Sequence, residues 1–505
     1  MVSKPESNQQ LRAPSLRLFS DARVGRPHSA LILAAILLTA AAYYWTYGLF
    51  PIWELAWFAP LPIFWLAPRV TARTAAGAAF LAMALARFDL WSYYRLLHLP
   101  LGFSIGAVIL PAIVFAVAIG LYRSYLLRGR PALAVLIFPA FTVAYEYLLS
   151  LWQGTFGNTA YTQLRNLPIL QLAALTGIWG ISFVVALVPT MVATLFYVHG
   201  KPRRNLAIAL AGVTVAVLSY GTIRLAGTPP APSTVRVGFA ETHVGPNLMP
   251  HDPAVIMNLM RGYADQSRSL ATQGAQIVVL PEMTAPVNDD LMSQIDTLFE
   301  QTARATHTQI DLGVLHLTGG RQWNEARLYS PAGTLEAVYR KHHLVPVAEG
   351  GTTPGTAISV LPQPEGVVGL QICRDMDYPK LSRRYAMQDV GLMLVPAWEF
   401  GPDYLWHGHM ALMRAVEGGF TLVRSAKIGY LTASDDRGRI LAEKLTLPET
   451  GFTTMLATVP IRHDPTLYQQ WGNWFAWLDL ALLAALLAAW ASGHRGSFPF
   501  GRVPQ

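Results

Sequence analysis

The chain is poor in cysteine and in charge. Cys373 is the single cysteine among 505 residues, so no intramolecular disulfide can form. Charged residues make up 13% of the chain and hydrophobic residues 52%, whereas charged residues are roughly 25% of a typical soluble domain. This deficit of charge excludes an ordinary soluble protein and predicts a protein that is partly embedded in a membrane.

Long apolar runs fill the first part of the chain and recur once near its end. Most of them reach the roughly 20 residues that cross a bilayer, so they predict about eight membrane spans. The second run is rich in proline and is expected to form a kinked span or a re-entrant element. The runs cover 30–50, 51–67, 74–94, 101–122, 131–152, 169–198, 205–226 and 473–492.

The net charge of +8 follows the membrane topology and does not indicate nucleic-acid binding. Basic residues concentrate in every second loop, for example at Arg123, Arg128 and Arg130 between the fourth and fifth runs. By the positive-inside rule, both termini are predicted to be cytoplasmic. The region after residue 227 is then exported, to the periplasm in a Gram-negative bacterium, and the protein is a multi-pass protein of the inner membrane.

These patterns divide the chain into five predicted parts. They are a cytoplasmic basic segment at 1–29, a transmembrane domain at 30–226, an exported domain at 227–472, a final transmembrane helix at 473–492 and a cytoplasmic tail at 493–505.

A proline-rich linker at 227–233 introduces the exported region. Beyond it, short strand patterns alternate with amphipathic helix patterns, and the turn residues at 331–334 predict a hairpin. Strands that alternate with helices indicate an α/β sandwich in which reactive residues lie on loops at strand ends.

Three residues at such strand ends form a chemically reactive set. Cys373 follows the apolar run 367–372 and precedes a helix pattern that begins at Pro379, and this strand–turn–helix pattern presents a side chain at the mouth of a sheet. A thiol attacks a carbonyl only as thiolate, so it needs a base, and the oxyanion that results needs a positive group. Glu282 can serve as the base and Lys341 as the cation. A buried, inert cysteine is the alternative reading of Cys373 alone.

The set resembles the Glu–Lys–Cys triad of the nitrilase superfamily. Glu282 lies in a Pro-Glu-x-x-x-Pro motif, Lys341 precedes His-Leu-Val-Pro at 343–346, and Cys373 follows a valine-rich strand; the intervals are 59 and 32 residues. The motifs at 152–158, 175–183 and 467–474 further resemble the apolipoprotein N-acyltransferase family. The resemblance extends over about residues 30 to 492.

The resemblance implies a fold and a reaction. The fold is an αββα sandwich, exported and attached to a polytopic α-helical membrane domain. Cys373 would take an acyl chain from a phospholipid as a thioester and pass it to the N-terminal amine of a diacylglyceryl-cysteine lipoprotein. Glu282 would be the general base, Lys341 would stabilise the oxyanion and Glu349 would help to order the site. This chemistry needs no cofactor and no metal, and nothing demands more than a monomer.

The residues after the cysteine depart from the family pattern. Arg374 and Asp375 stand where the family has tyrosine and glutamate, and here the chain is closer to soluble nitrilase-type amidases. The acyl acceptor is therefore open. The alternatives are a membrane-tethered amidase that hydrolyses a small amide, and a non-catalytic scaffold with a degenerate nitrilase domain.

Further candidates lie outside the triad. The aromatic residues after a predicted strand end are either core or contacts of the acyl chain and parts of a lid: Trp398, Phe400, Tyr404 and Trp406. Glu146 is a charge within an apolar run, which marks it as a candidate for contact with a lipid head group or for stabilising the site. His407 and His409 lack an evident third ligand and are interpreted as polar lining or as the entry of a helix rather than as a metal site.

Overall fold

The computed structural model describes residues 28–227, 233–242, 249–446 and 451–495. The predicted N-terminal segment up to residue 27, the linker at 228–232 and the predicted tail from residue 496 lie outside the described residues. Within the described residues the α-helices are α1 Ser29–Tyr47, α2 Leu61–Leu66, α3 Ala72–Ala86, α4 Trp91–Leu96, α5 Leu101–Leu127, α6 Pro131–Gln153, α7 Leu167–Leu170, α8 Ala173–Thr176, α9 Ile178–Leu195, α10 Gly200–Ala226, α11 Pro253–Thr272, α12 Asp289–Thr306, α13 Pro379–Ala386, α14 Trp406–Gly418, α15 Leu467–Trp471 and α16 Trp474–Arg495.

The predicted polytopic helical domain is confirmed. Six of the described helices, α1, α5, α6, α9, α10 and α16, are long and apolar enough to cross a membrane, against the about eight spans expected from run length. The proline-rich run 51–67 forms a 3-10 helix at Trp53–Trp57 and the short α2, because proline has no N–H for a helical hydrogen bond. The run 74–94 divides into α3, a 3-10 turn and α4.

The second part of the chain forms two mixed sheets. The strands are β1 Thr234–Thr242, β2 Ile277–Val279, β3 Pro286–Asn288, β4 Gln309–Thr318, β5 Arg321–Tyr329, β6 Leu335–Arg340, β7 Ser359–Gln363, β8 Gly366–Leu370, β9 Leu392–Trp398, β10 Thr421–Lys427, β11 Tyr430–Ser434, β12 Ile440–Leu445 and β13 Phe452–Pro460. The first sheet has the order β13-β1-β2-β4-β5-β6, with β3 beside β4, and the second has the order β12-β11-β10-β9-β8-β7. The hairpin predicted at 331–334 joins the antiparallel strands β5 and β6.

The two sheets pack face to face, with helices on their outer faces. Apolar side chains of β1, β2 and β5 meet those of β8, β9 and β10 in one core. Helices α11 and α12 cover the outer face of the first sheet through a separate core, and α13 and α14 cover the second sheet. This arrangement is the predicted αββα sandwich. The parallel strands β8 and β9 end at the same edge of the second sheet, so the loops that follow them converge there.

Candidate active site

Cys373 lies at the start of a tight turn, as the strand–turn–helix pattern predicts. Strand β8 ends two residues before Ile372, the 3-10 turn Cys373–Asp377 follows, and α13 begins at Pro379. Cys373 has a φ of +44°, a left-handed conformation that is strained for a residue with a side chain. Its side chain is almost enclosed, with 3% of the residue exposed, and Sγ lies 3.5 Å from the carbonyl oxygen of Trp398.

Glu282 reaches the same place from the other sheet. It follows β2, and its backbone N–H donates to the carbonyl oxygen of Ala397, 3.3 Å away. Because Ala397 and Trp398 are consecutive at the end of β9, the Glu282 and Cys373 loops meet at one strand end. A tight backbone contact supports Glu282, since a Cβ at Gly313 would lie 2.7 Å from the Glu282 Cα.

Lys341 joins two carboxylates in the buried interior. Its Nζ lies 2.7 Å from Glu282 Oε1 and 2.8 Å from Glu349 Oε2, and the three side chains are only 2%, 3% and 3% exposed. Asn324 donates from Nδ2 to both carboxylates, at 2.6 and 2.7 Å. Glu349 also accepts the N–H of Val345 at 2.7 Å, which ties the loop after Lys341 to the lysine itself.

Burial and charge set the protonation states of this group. Burial, with the charge of Glu349, raises the pKa of Glu282 although Lys341 opposes the shift. Burial lowers the pKa of Lys341, but Glu282 and Glu349 outweigh it, so the pKa is raised and the ammonium persists. Burial, then Glu282, raises the pKa of the Cys373 thiol well above its usual value. Cys373 is therefore a neutral thiol beside a carboxyl group of raised pKa, a pairing that general-base activation of a thiol requires.

The residues that depart from the family pattern hold the loops of the site. Asp375 is buried; its carboxylate accepts the Tyr339 hydroxyl at 2.7 Å and the His343 N–H at 2.8 Å. It thereby links the turn of the nucleophile to the segment after Lys341. Arg374 donates to the carbonyl oxygens of Leu344 and Gln153, and the second contact reaches the end of membrane helix α6.

The four aromatic candidates lie in different surroundings. Trp398 is half-buried, with the Lys427 Nζ 4.1 Å from its ring centroid, and Phe400 packs against an apolar cluster of the membrane part. The ring of Tyr404 lies 5.6 Å from that of Phe50. Trp406 is buried and borders a cavity of about 300 Å³. The residues that line this cavity are Phe50, Pro51, Ile52, Trp53, Tyr161, Thr162, Leu164, Arg165, Leu405, Trp406 and His409.

Glu146 lies apart from the triad, inside the membrane part. Its carboxylate accepts the N–H of Thr159 at 2.7 Å and the hydroxyl of Ser182 at 2.5 Å. These contacts fix the 3-10 helix Thr159–Gln163 against α6 and α9. Thr155, four residues before Thr159, donates its N–H and hydroxyl to the carbonyl oxygen of Asp377, so the segment beside Glu146 also contacts the turn of Cys373.

The structure adds groups that sequence reasoning missed. His407 bridges two carboxylates, with Nδ1 2.6 Å from Glu399 and Nε2 3.1 Å from Asp377. Glu399 also pairs with Arg424 of β10. A carboxylate oxygen of Asp403 lies within 4.8 Å of potential metal-ligand atoms of Glu399 and His407. The carboxylate of Glu399, however, is already paired with the guanidinium of Arg424. Only the spacing of His407 had drawn attention in the sequence, since Arg424 and Asn324 lie inside strands with no motif of their own.

Two family models match the two parts of the chain. Residues 249–462 match the family model described as carbon-nitrogen hydrolase, and residues 31–191 match the apolipoprotein N-acyltransferase N-terminal domain. Among solved structures, an amidase from Nesterenkonia sp. matches with a TM-score of 0.40 and 21% identity, over 51% of this chain and 96% of that one.

Curated relatives match both parts of the chain together. The apolipoprotein N-acyltransferase of Geobacter metallireducens is 27% identical over 72% of this chain and 76% of its own length. That of Haemophilus ducreyi is 24% identical over 84% of this chain and 90% of its own length. With its apolar helices, the protein is a membrane-embedded bacterial protein. The helical and the nitrilase-like parts both match in one chain, so the chain is similar over both parts to the apolipoprotein N-acyltransferases.

Proposed function

We propose that the protein is an N-acyltransferase that moves a fatty acyl chain from a phospholipid to the N-terminal amine of a diacylglyceryl-cysteine lipoprotein. The observation that carries the proposal is the buried group in which Lys341 joins Glu282 and Glu349 beside Cys373, in a chain with six helices of span length among the residues described. The relatives named apolipoprotein N-acyltransferase support the same reaction.

The first half-reaction is transfer of the acyl chain to Cys373. Glu282 accepts the thiol proton, and the sulfur attacks the ester carbonyl carbon of the phospholipid. Lys341, with backbone N–H groups, stabilises the tetrahedral oxyanion. The ester C–O bond then breaks, the proton held by Glu282 passes to the departing oxygen, and a lysophospholipid leaves.

The second half-reaction regenerates the thiol. The acceptor amine attacks the thioester carbonyl carbon and loses a proton to Glu282, the C–S bond breaks, and the sulfur takes up that proton. An amide is formed and the enzyme returns to its starting state. The same triad would hydrolyse the thioester if water arrived first, so exclusion of water from this buried site is part of the proposed mechanism.

The membrane arrangement brings lipid substrates to this site. We place the nitrilase-like part on the outer face of the inner membrane with both termini in the cytoplasm, on the distribution of basic loops. Both substrates are then lipids of the leaflet next to the site. Trp398, Phe400, Tyr404 and Trp406 are proposed as contacts of the acyl chain, and the cavity of about 300 Å³ beside Trp406 is a candidate space for part of it.

Intact-protein mass spectrometry tests the proposal. The full-length protein is incubated with phosphatidylethanolamine vesicles, and Cys373→Ala is treated in parallel. We expect a mass gain of one acyl chain in the wild type only, which a diacylglyceryl-cysteine peptide then removes with formation of an N-acyl peptide. Cleavage of a small amide without any acyl adduct would overturn the proposal in favour of a tethered amidase. If neither an acyl adduct nor amide cleavage is observed, the catalytic assignment itself is wrong.

A further inference from the structure

A second charged network lies behind the nucleophile, separate from the Glu282–Lys341–Glu349 group. It runs from Arg424 to Glu399, from Glu399 to His407 at 2.6 Å, and from His407 to Asp377 at 3.1 Å. Asp377 ends the turn that Cys373 begins. Glu399 directly follows the residue whose carbonyl oxygen lies 3.5 Å from the thiol. The network therefore contacts both segments next to the Cys373 thiol, the turn that Cys373 begins and the end of β9.

Arg424 is unusual within this network. Only 1% of the residue is exposed, and its Nε and Nη1 atoms make no hydrogen bond within the described residues, while Nη2 pairs with Glu399. Buried guanidinium N–H groups are normally satisfied, so an exception needs a reason. Strand β10 lies beside β9, with Arg424 opposite Val395 and Lys427 opposite Trp398, the residue whose carbonyl oxygen contacts the Cys373 thiol.

We propose that Arg424 is a second cation of the active site, which stabilises the thiolate of Cys373 as Glu282 removes its proton, and that the carboxylate of Glu399 carries the opposing charge. Arg424 and Glu399 are thus assigned opposite electrostatic roles in the first half-reaction, and His407 holds the Glu399 carboxylate. The inference rests on the proposed function, because it assigns Cys373 as the nucleophile.

The charges around the thiol have opposite effects that can be separated. Burial is the main cause of the raised pKa of Cys373; Glu282 and Glu399 raise it further, while Lys341 and Arg424 lower it. Glu399 stays ionised, because Arg424 and His407 outweigh the effect of its burial and lower its pKa. Removal of Arg424 should therefore raise the pKa of the thiol and removal of Glu399 should lower it. General damage to the site would instead shift the thiol pKa in the same direction in both variants.

The rate of Cys373 alkylation by iodoacetamide, measured against pH on the full-length protein, tests the inference. Below the thiol pKa the thiolate fraction changes about tenfold per pKa unit. We expect Arg424→Met to slow alkylation about tenfold at about pH 8 and Glu399→Gln to accelerate it about threefold or more. Arg424→Lys keeps the charge and should stay close to wild type. The double variant Arg424→Met/Glu399→Gln should lie between the two single variants.

A buried arginine on the other sheet provides the matched control. Arg327 of β5 pairs with Asp296 at 2.7 Å and, by strand alternation, faces away from Asn324. Arg327→Met should lower the apparent melting temperature without moving the alkylation profile. If Arg424→Met leaves the profile unchanged, or if both single variants shift it in the same direction, the inference is wrong. Alkylation measures the reactivity of the Cys373 thiol and needs no acyl donor. The result is therefore independent of whether acyl transfer itself is found.

Discussion

Lys341 is the residue whose loss should expose the electrostatic design of the site most clearly. It is the only cation within hydrogen-bond distance of Glu282 and Glu349 among the described residues, at 2.7 and 2.8 Å, and Asn324 holds the two carboxylates together from their other side. After Lys341→Met, two buried carboxylates face each other without a counter-charge. Removing one partner of a buried ion pair costs about 3–5 kcal/mol. We expect an apparent melting temperature lower by on the order of 5–10 °C.

This deficit should depend on pH in a defined direction. Burial and the charge of Glu349 raise the pKa of Glu282 and Lys341 opposes them, so without Lys341 that pKa rises further above its unfolded value of about 4.3. A group with a raised folded pKa stabilises the fold most below its unfolded pKa, and that stability is lost as the pH rises through the folded pKa. The difference from wild type should therefore be small near pH 5 and larger near pH 8. Lys341→Met/Glu349→Gln removes one of the unpaired charges and should recover much of the loss.

Thermal unfolding in detergent or nanodiscs, followed between about pH 5 and 8, measures the effect. Lys444 supplies the control, because it is exposed on β12 and Lys444→Met should change stability by no more than about 0.5 kcal/mol. A deficit for Lys341→Met no larger than that of the control would refute the reasoning. So would a deficit of the same size at both ends of the pH range.

Three further variants test the supports of the site. Gly313→Ala places a Cβ 2.7 Å from the Glu282 Cα; we expect acyl-enzyme formation, read by mass, to fall about 100-fold, while Gly212→Ala, which meets nothing within 4 Å, leaves it unchanged. Asp375→Asn weakens the acceptor that ties the nucleophile turn to the lysine loop, so Cys373 acylation should slow about tenfold; an unchanged rate would contradict that role. Glu146→Leu leaves the buried N–H of Thr159 unpaired, which costs about 1–3 kcal/mol. We expect a lower melting temperature, and a normal rate of Cys373 alkylation at temperatures well below the melting point.

The membrane part shows where reasoning from the sequence succeeds and where it stops. Hydropathy locates the spans because a helix in a bilayer needs a minimum apolar length, which is a local property. At 51–67 and 74–94 the structure has short, interrupted helices in place of single long ones. In these two runs, the backbone geometry of proline and the packing of neighbouring helices determine whether an apolar run forms one long helix or several short ones. The length of the run contains no information about either.

The catalytic part divides in the same way. The sequence by itself determined the alternation of strands and helices, the turn at Cys373 and the three candidate reactive residues. Side-chain chemistry and strand-end patterns depend only on short stretches of sequence, so they can be recognised without the fold. Only the tertiary structure decided that Asn324 joins two carboxylates and that Arg424, Glu399 and His407 form a second network behind the thiol. These contacts join residues far apart in the chain and inside strands, where the sequence carries the residue type but not the face, the partner or the low dielectric that gives a buried charge its effect.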